Sequence, residues 1–207
     1  MIRWVLVRHG ETEWNFAGKI QGHTDVPLSE TGWAQAAAVA EALSGMTMDA
    51  VFSSDLKRAS ETAHQITDGR GIEIRFTDKL RELNYGAWEG LSEDDVMRKF
   101  PEEYSTWRQG RPSFAAPGGE TWFQLMERVR SFVQETAARV TNGNILLVGH
   151  GGSIRALGVS LLGFPVEACG IMSVSKAGIS IIDWDGTSVS LVVWNDTSHY
   201  RKIHGPD

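Results

Sequence analysis

The chain has 207 residues, of which 42% are hydrophobic and 22% charged, and its formal net charge is −6. This size and composition suit one compact α/β domain and exclude a disordered chain. No run of Lys and Arg is present, so neither a nucleic acid nor a membrane is expected as a partner. The one cysteine, Cys169, permits neither an intrachain disulfide nor a cysteine zinc cluster. The sequence has no signal-peptide pattern and no apolar stretch long enough for a bilayer, so a cytoplasmic location is expected.

Hydrophobic periodicity predicts the elements of the first half of the chain. The continuous apolar run at residues 2–7 is typical of a strand that is buried on both faces. Residues 29–44 are predicted to form a helix with Ser29 as its N-cap. Its buried stripe is expected to consist of Trp33, Ala36, Ala37, Ala40 and Leu43. The next predicted elements are a short strand (50–53), a helix (55–67) and a half-exposed edge strand (72–76).

The second half of the chain contains a less regular segment and then resumes the alternation of helices and strands. Residues 84–117 are interpreted as a helical lid with short helices at 92–100 and 101–109, inserted into a single domain of residues 1–207. The elements predicted after it are a long helix (120–140), a buried strand (144–148), a helix (152–162) and two strands (179–184 and 189–194). Asp185-Gly186 between the last two strands is a strong hairpin signal. This order predicts a three-layer α/β sandwich: a mostly parallel central sheet, helices on both faces and an antiparallel strand from the C-terminal hairpin.

Polar residues at three predicted strand ends form a candidate site. Ligands of open α/β sheets bind beyond the carboxyl ends of the strands. Arg8 and His9 follow the first strand, Arg58 lies one turn into the helix after the second, and His150 lies in a glycine-rich turn after the strand at 144–148. Two guanidiniums and two imidazoles suit a phosphoryl group, because the planar donors of Arg match phosphate oxygens. The glycines beside the histidines allow backbone N–H groups to approach a ligand closely.

Five sequence blocks, in this order, resemble the phosphoglycerate-mutase-like branch of the histidine phosphatase superfamily. They are RHGETEWN (8–15, continued by QG at 21–22), SSDLKRA (53–59), ELNYGAWEG (82–90), PGGE (117–120) and VGHGG (148–152). The NDT sequence at 195–197 is also similar to the family pattern. The resemblance implies an α/β fold and a phosphoryl-transfer activity that needs neither a metal nor another cofactor.

The resemblance also implies a role for each matching position. His9 would be the nucleophile and become phosphorylated, and Glu82 would donate a proton to the leaving group. Glu82 can do so only while it holds a proton, which partial burial and a nearby phosphate dianion would favour. His150 would add positive charge to the phosphate site if it is protonated. The positions implied to hold the phosphoryl group or line the substrate side are Arg8, Arg58, His150, Asn15, Gln21, Gly22 and Gly151.

Two features favour a phosphatase over a phosphoglycerate mutase. Mutases of this branch are usually longer, and their acid block lacks an ending like the Trp-Glu-Gly sequence at residues 88–90. The expected reaction is therefore hydrolysis of a small phosphorylated metabolite. Its identity stays open among the substrates of broad-specificity, α-ribazole phosphate, and sugar or glycerate phosphatases.

Three alternative functions are weighed against this one. The first is a cofactor-dependent phosphoglycerate mutase, and the second is a non-catalytic phosphate-binding protein. The third is a metallohydrolase built on His9, His23, Asp25 and His150. No HxH or HExxH spacing occurs, and two neighbouring arginines would repel a divalent cation, which disfavours the third.

Several other residues have more than one interpretation. The aromatic residues of the lid would either line an apolar substrate pocket or form the core beneath the lid. They are Trp88, Phe100, Tyr104, Trp107 and Phe114. Apolar faces near the C-terminal hairpin would either form a homodimer interface or belong to the core. The remaining histidines are interpreted as surface or supporting residues: His23, His64, His199 and His204.

Overall fold

The computed structural model describes residues 1–200, so His204 lies outside the described residues. Six strands in this part form one sheet in the order β3-β2-β4-β1-β5-β6. They are β1 (Ile2–Arg8), β2 (Ala50–Ser54), β3 (Ile74–Thr77), β4 (Gly143–Gly149), β5 (Ile179–Trp184) and β6 (Val189–Asp196). The pairs β1–β4, β2–β4 and β2–β3 are parallel, whereas β5 is antiparallel to both β1 and β6. The predicted mostly parallel sheet with an antiparallel C-terminal hairpin is confirmed, and β3 is an edge strand as predicted.

Helices cover both faces of this sheet. They are α1 (Glu13–Phe16), α2 (Glu30–Ala42), α3 (Lys57–Thr67), α4 (Glu93–Lys99), α5 (Pro101–Trp107), α6 (Trp122–Arg139) and α7 (Gly151–Leu162). Alternate residues of β1 enter two different cores. Trp4 and Leu6 pack with apolar residues of α6 and α7, whereas Val5 and Val7 pack with those of α2 and α3. Burial on both faces explains why the β1 sequence is continuously apolar.

The buried face of α2 differs from the predicted one. Trp33 and Ala37 are exposed, and Trp33 retains 41% of its accessible surface. The residues of α2 that are buried are Gly32, Gln35, Ala36 and Val39. A Cβ atom on Gly32 would lie 2.0 Å from the carbonyl oxygen of Glu11, so a close backbone approach turns this side of the helix inward. The predicted N-cap is confirmed, because Ser29 Oγ accepts the Gly32 N–H at 3.1 Å.

The segment at residues 84–117, which is predicted to be a lid, contributes to a small separate core. The indole of Trp88 is 1% exposed and packs against the rings of Trp107 and Phe114, with centroid distances of 5.9 and 5.6 Å. Phe100 and Tyr104 pack against the same cluster. A cavity of about 50 Å³ remains beside these rings. The aromatic residues of the lid therefore pack chiefly against one another, as the core interpretation expects.

The sheet ends in an edge strand with an apolar surface. Val189, Leu191 and Val192 of β6 are exposed. A homodimer through this region stays a prediction. Within residues 1–200, no helix combines the length and the apolar character that crossing a bilayer requires.

Candidate active site

The carboxyl edge of the sheet brings together the residues predicted from three strand ends. His9 follows β1, Arg58 lies in the first turn of α3, and His150 is the N-cap of α7. Their exposed fractions are 2%, 1% and 0%, respectively. The imidazole rings of His9 and His150 have centroids 5.0 Å apart. The chain thus builds a buried cationic pocket around two histidine rings.

The backbone fixes the tautomer of His9. Its Nδ1 lies 2.6 Å from the carbonyl oxygen of Gly10. A carbonyl oxygen accepts hydrogen bonds and cannot donate them, so Nδ1 carries the proton and Nε2 has a free lone pair. Burial lowers the pKa of His9 well below its ordinary value, and the positive charges of Arg58 and Arg8 lower it further. His9 is therefore neutral and able to act as a nucleophile through Nε2.

Arg58 fixes the opposite tautomer of His150. The Arg58 Nε–H group donates to His150 Nδ1 at 3.1 Å, so the proton of the neutral ring lies on Nε2. Burial, followed by the charge of Arg58, lowers the pKa of His150 well below its ordinary value. Among the described residues, this buried Nε2–H group has no acceptor. His150 is therefore neutral, with a free Nε2–H donor, and is not the cation considered from the sequence.

The two arginines keep donors free for an anion. Arg58 also donates through Nη1 to the carbonyl of Thr24 (2.9 Å) and through Nη2 to that of Gly22 (2.7 Å). Three of its five N–H groups are thus used, and burial lowers its pKa to about 10, which leaves it charged at neutral pH. Arg8 donates through Nη1 to the carbonyl of Val174 (2.7 Å). Its Nε is buried without an acceptor in the described part of the chain.

Glu82 enters the pocket at the start of α7. Its Oε1 accepts the N–H groups of Leu83 and Gly152, each at 2.8 Å. A Cβ atom on Gly152 would lie 2.2 Å from this oxygen, so a side chain here would force the Glu82 carboxylate to move. A Cβ atom on Gly151 would lie 3.6 Å from both Arg8 Cζ and Glu82 Oε2. The Glu82 carboxylate and the Arg8 guanidinium therefore line the same side of the helix N-terminus.

Comparison with known proteins shows the family of this chain. A family model described as the histidine phosphatase superfamily (branch 1) matches residues 4–197. The chain belongs to this superfamily. It is 33% identical to phosphoserine phosphatase 1 of Hydrogenobacter thermophilus over 99% of this chain and 97% of the relative. It is 37% identical to phosphoglycerate mutase-like protein 4 of Arabidopsis thaliana over 96% of this chain and 86% of the relative.

Solved structures show the same histidine phosphatase fold. The mycobacterial glucosyl-3-phosphoglycerate phosphatase, solved in complex with VO3, matches with a TM-score of 0.87 and 33% identity, covering 94% of this chain and 99% of that one. The family resemblance of the sequence blocks is confirmed. The relatives named as phosphatases support a hydrolase of this superfamily.

Three other predicted binding residues lie between β1 and α2, with Asn15 in α1 and with Gln21 and Gly22 in the loop that follows it. Asn15 Oδ1 accepts the Thr12 N–H at 3.2 Å, which leaves the two N–H groups of its amide for other partners. Gln21 is buried, and its Oε1 accepts the Thr12 hydroxyl at 3.0 Å. Gly22 contributes the carbonyl that holds Arg58. Binding of substrate by Asn15 and Gln21 stays a prediction.

Sequence reasoning missed the residue that anchors the backbone of Glu82. Arg128 donates through Nη2 to the carbonyl of Glu82 and through Nη1 to the carbonyls of Lys79 and Arg81, all at 2.8 Å. Its Nε donates to Glu120 Oε1 at 2.8 Å. Glu120 belongs to the PGGE block, but nothing in the sequence pairs it with a residue eight positions later.

The residues of the metallohydrolase alternative do not converge. His23 Nε2 lies 2.9 Å from the carbonyl oxygen of Glu82 and donates to it, while Asp25 Oδ1 accepts the Lys57 N–H at 2.7 Å. Within residues 1–200, no three histidine, cysteine, aspartate or glutamate side chains are placed to hold a metal ion. His23 is a supporting residue, as expected, and His64 is exposed.

Proposed function

We propose that this histidine phosphatase hydrolyses a small phosphomonoester in two steps through a phosphohistidine on His9. The observation that carries the proposal is the fixed tautomer of His9. Its Nδ1 proton is held by the Gly10 carbonyl at 2.6 Å, so the Nε2 lone pair is available beside two guanidiniums. A neutral imidazole next to cationic donors is the arrangement that nucleophilic attack on a phosphate dianion requires.

In the first step, His9 Nε2 attacks phosphorus in line with the ester oxygen. The N–P bond forms and the P–O bond to the leaving group breaks. The Nδ1–H group of the resulting cationic ring stays bonded to the Gly10 carbonyl, which stabilises the positive charge. Covalent catalysis of this kind divides one difficult displacement into two easier ones.

The equatorial phosphoryl oxygens would bind the free donors of the pocket. Two N–H groups of Arg58, the Nε–H of Arg8 and the Nε2–H of His150 are available among the described groups. These donors are buried, so their interaction with developing charge is stronger than it would be in water. Arg58 and His150 are also held in place before substrate binds, because they are hydrogen-bonded to each other.

Glu82 would serve as acid and then as base. In the first step its protonated carboxyl group donates to the leaving-group oxygen. In the second it accepts a proton from the water that attacks phosphorus, as the new O–P bond forms and the N–P bond to His9 breaks. Inorganic phosphate then leaves and His9 is regenerated. Two backbone N–H groups hold Oε1, while Oε2 lies on the side of Arg8. Proton transfer by a positioned group contributes about 10²–10⁴-fold to such reactions.

Similarity to named relatives and the burial of the site support a small phosphomonoester as the substrate class. The named relatives act on phosphoserine and on glucosyl-3-phosphoglycerate, both small phosphorylated metabolites. In this chain the reactive histidines are almost completely buried, which favours a small ester over a phosphate on a folded protein surface. The similarity to a phosphoglycerate mutase-like protein keeps a mutase as the second candidate.

The decisive experiment is turnover of p-nitrophenyl phosphate in excess EDTA by the wild type, His9→Ala and the matched control His64→Ala. We expect turnover to survive EDTA, to disappear in His9→Ala and to persist in His64→Ala, whose side chain is exposed outside the pocket. Activity that vanishes with EDTA and returns with zinc or magnesium would support a metallohydrolase. If the wild type shows no turnover, a phosphoglycerate isomerisation assay separates a mutase from a phosphate-binding protein.

A further inference from the structure

Glu89 holds the loop at residues 22–24, which contacts Arg58 in the proposed phosphate site. Its Oε1 accepts the N–H groups of His23 (2.8 Å) and Tyr85 (3.2 Å). Its Oε2 accepts the N–H and the hydroxyl group of Thr24, at 2.7 and 2.5 Å. Four hydrogen bonds thus converge on one carboxylate, and three of them come from residues 23–24. A charged acceptor forms stronger hydrogen bonds than a neutral one, so this loop is firmly held.

Residue 22 must be glycine for the loop to close on Glu89. The φ angle of Gly22 is +55°, and a Cβ atom there would lie 1.9 Å from Glu89 Oε1. A side chain would therefore be strained and would displace the carboxylate. The residues 22–24 form what we call the clamp loop.

The clamp loop turns its carbonyl groups toward Arg58. The carbonyls of Gly22 and Thr24 accept Arg58 Nη2 and Nη1 at 2.7 and 2.9 Å. The N–H groups of His23 and Thr24 therefore face Glu89, while the carbonyls of Gly22 and Thr24 fix the plane of the guanidinium. The charge of Glu89 also opposes the effect of burial on the pKa of Arg58. The remaining residue of the loop, His23, bonds the backbone of Glu82 at 2.9 Å.

We propose that Glu89 is a positioning residue: through the clamp loop it orients Arg58 toward the phosphoryl group and toward His150. This role rests on the proposed function, in which Arg58 binds phosphoryl oxygens. Glu89 forms no hydrogen bond to Arg58, so it orients the guanidinium through the carbonyls of Gly22 and Thr24, in addition to the effect of its charge on the pKa of Arg58. The effect of a substitution at Glu89 should therefore depend on the presence of Arg58, which a double-mutant cycle can test.

The test compares Glu89→Gln in the wild type and in an Arg58→Ala background, with Glu102→Gln as the matched control. Glu102 is an exposed carboxylate on the lid. Glutamine keeps the shape of Glu89 but replaces one acceptor oxygen by an NH2 group, so part of the clamp loop loses its acceptor. In the wild type, we expect at least a tenfold loss in kcat/KM for p-nitrophenyl phosphate and at least tenfold weaker inhibition by vanadate. In the Arg58→Ala background we expect less than a twofold change, and Glu102→Gln should have no effect in either.

Binding of inorganic phosphate, measured by calorimetry, separates this proposal from the proposed function. If the wild type binds phosphate without turning over a phosphomonoester, the proposed function fails. The double-mutant cycle of Glu89→Gln and Arg58→Ala can then still be measured through the affinity of each variant for phosphate. If Glu89→Gln does not fold, Thr24→Val replaces it, because it removes the hydroxyl bond to Glu89 and keeps the carbonyl that holds Arg58. Equal losses in the presence and absence of Arg58, or no loss in the wild type, would overturn the positioning role.

Discussion

Replacing Gly152 by alanine should displace the proposed acid while leaving the nucleophile in place. The new Cβ would lie 2.2 Å from Glu82 Oε1, so the carboxylate must retreat by about 1 Å to reach an ordinary contact distance. Displacement of a reacting group by about 1 Å lowers rates by about 10²-fold, which corresponds to roughly 2.7 kcal/mol of transition-state stabilisation. Alanine favours a helix over glycine by about 0.5–1 kcal/mol, so the fold itself should not be weakened.

The assay for Gly152→Ala is kcat on two substrates with different leaving groups. Glycerol 2-phosphate releases an alkoxide and needs the acid, whereas p-nitrophenyl phosphate releases a stable phenolate. We expect about a 10²-fold loss in kcat on the first and less than about threefold on the second. Gly170→Ala is the matched control, since a Cβ there meets no atom within 4 Å, and it should retain both activities. Equal losses on both substrates, or no loss on glycerol 2-phosphate, would refute the placement of Glu82 as the acid.

Three further predictions follow from the same contacts. Glu82→Gln should lower turnover of alkyl phosphates by about 10²–10⁴-fold and that of p-nitrophenyl phosphate far less, in steady-state assays of the two substrates; equal losses would contradict this. The pKa values of His9 and His150 are lowered by burial, so below a pH of about 6.5 the unfolded chain takes up more protons than the folded one. The free energy of unfolding, measured in urea, should therefore fall as pH decreases from about 6.5. It should depend less on pH in the double variant His9→Asn/His150→Asn, and an unchanged pH dependence in that variant would contradict the prediction. Arg128→Met should lower the free energy of unfolding by about 3 kcal/mol, because it removes the cation that pairs with Glu120 and a donor to each of three carbonyls, whereas the exposed control Arg130→Met should change it by less than about 0.5 kcal/mol.

Strands and helices were predictable where burial leaves a periodic signal. β1 is apolar throughout because its two faces enter different cores, and α6 carries a clear apolar stripe from Leu125 to Thr136. The predicted stripe of α2 was right at Ala36 and Leu43 but wrong at Trp33 and Ala37, because the contact of Gly32 with the distant Glu11 backbone decides which side faces inward. Such a backbone approach leaves no mark in the hydrophobic pattern of the helix itself.

The site residues were predictable because the ends of parallel strands meet at one edge of the sheet. His9, Arg58 and His150 all follow strands that lie beside one another in the order β2-β4-β1. Their protonation was not predictable, because it depends on which acceptor or donor each ring nitrogen meets. The residues that hold Glu82 and Arg58 in place were likewise not predictable. Arg128 bonds the backbone of Glu82, 46 positions away, and Glu89 bonds the backbone of residues 23–24, 65–66 positions away.

The central claim is that His9 carries the phosphoryl group during turnover. Wild type and His9→Asn should be mixed with a labelled phosphomonoester, quenched in alkali within one turnover, digested and sequenced by mass spectrometry. We expect one phosphoryl group on residue 9 of the wild type, stable in alkali and lost in acid, as a phosphoramidate is, and none in the variant. Turnover with no phosphorylated residue at any quench time, or a label on another residue, would contradict the account.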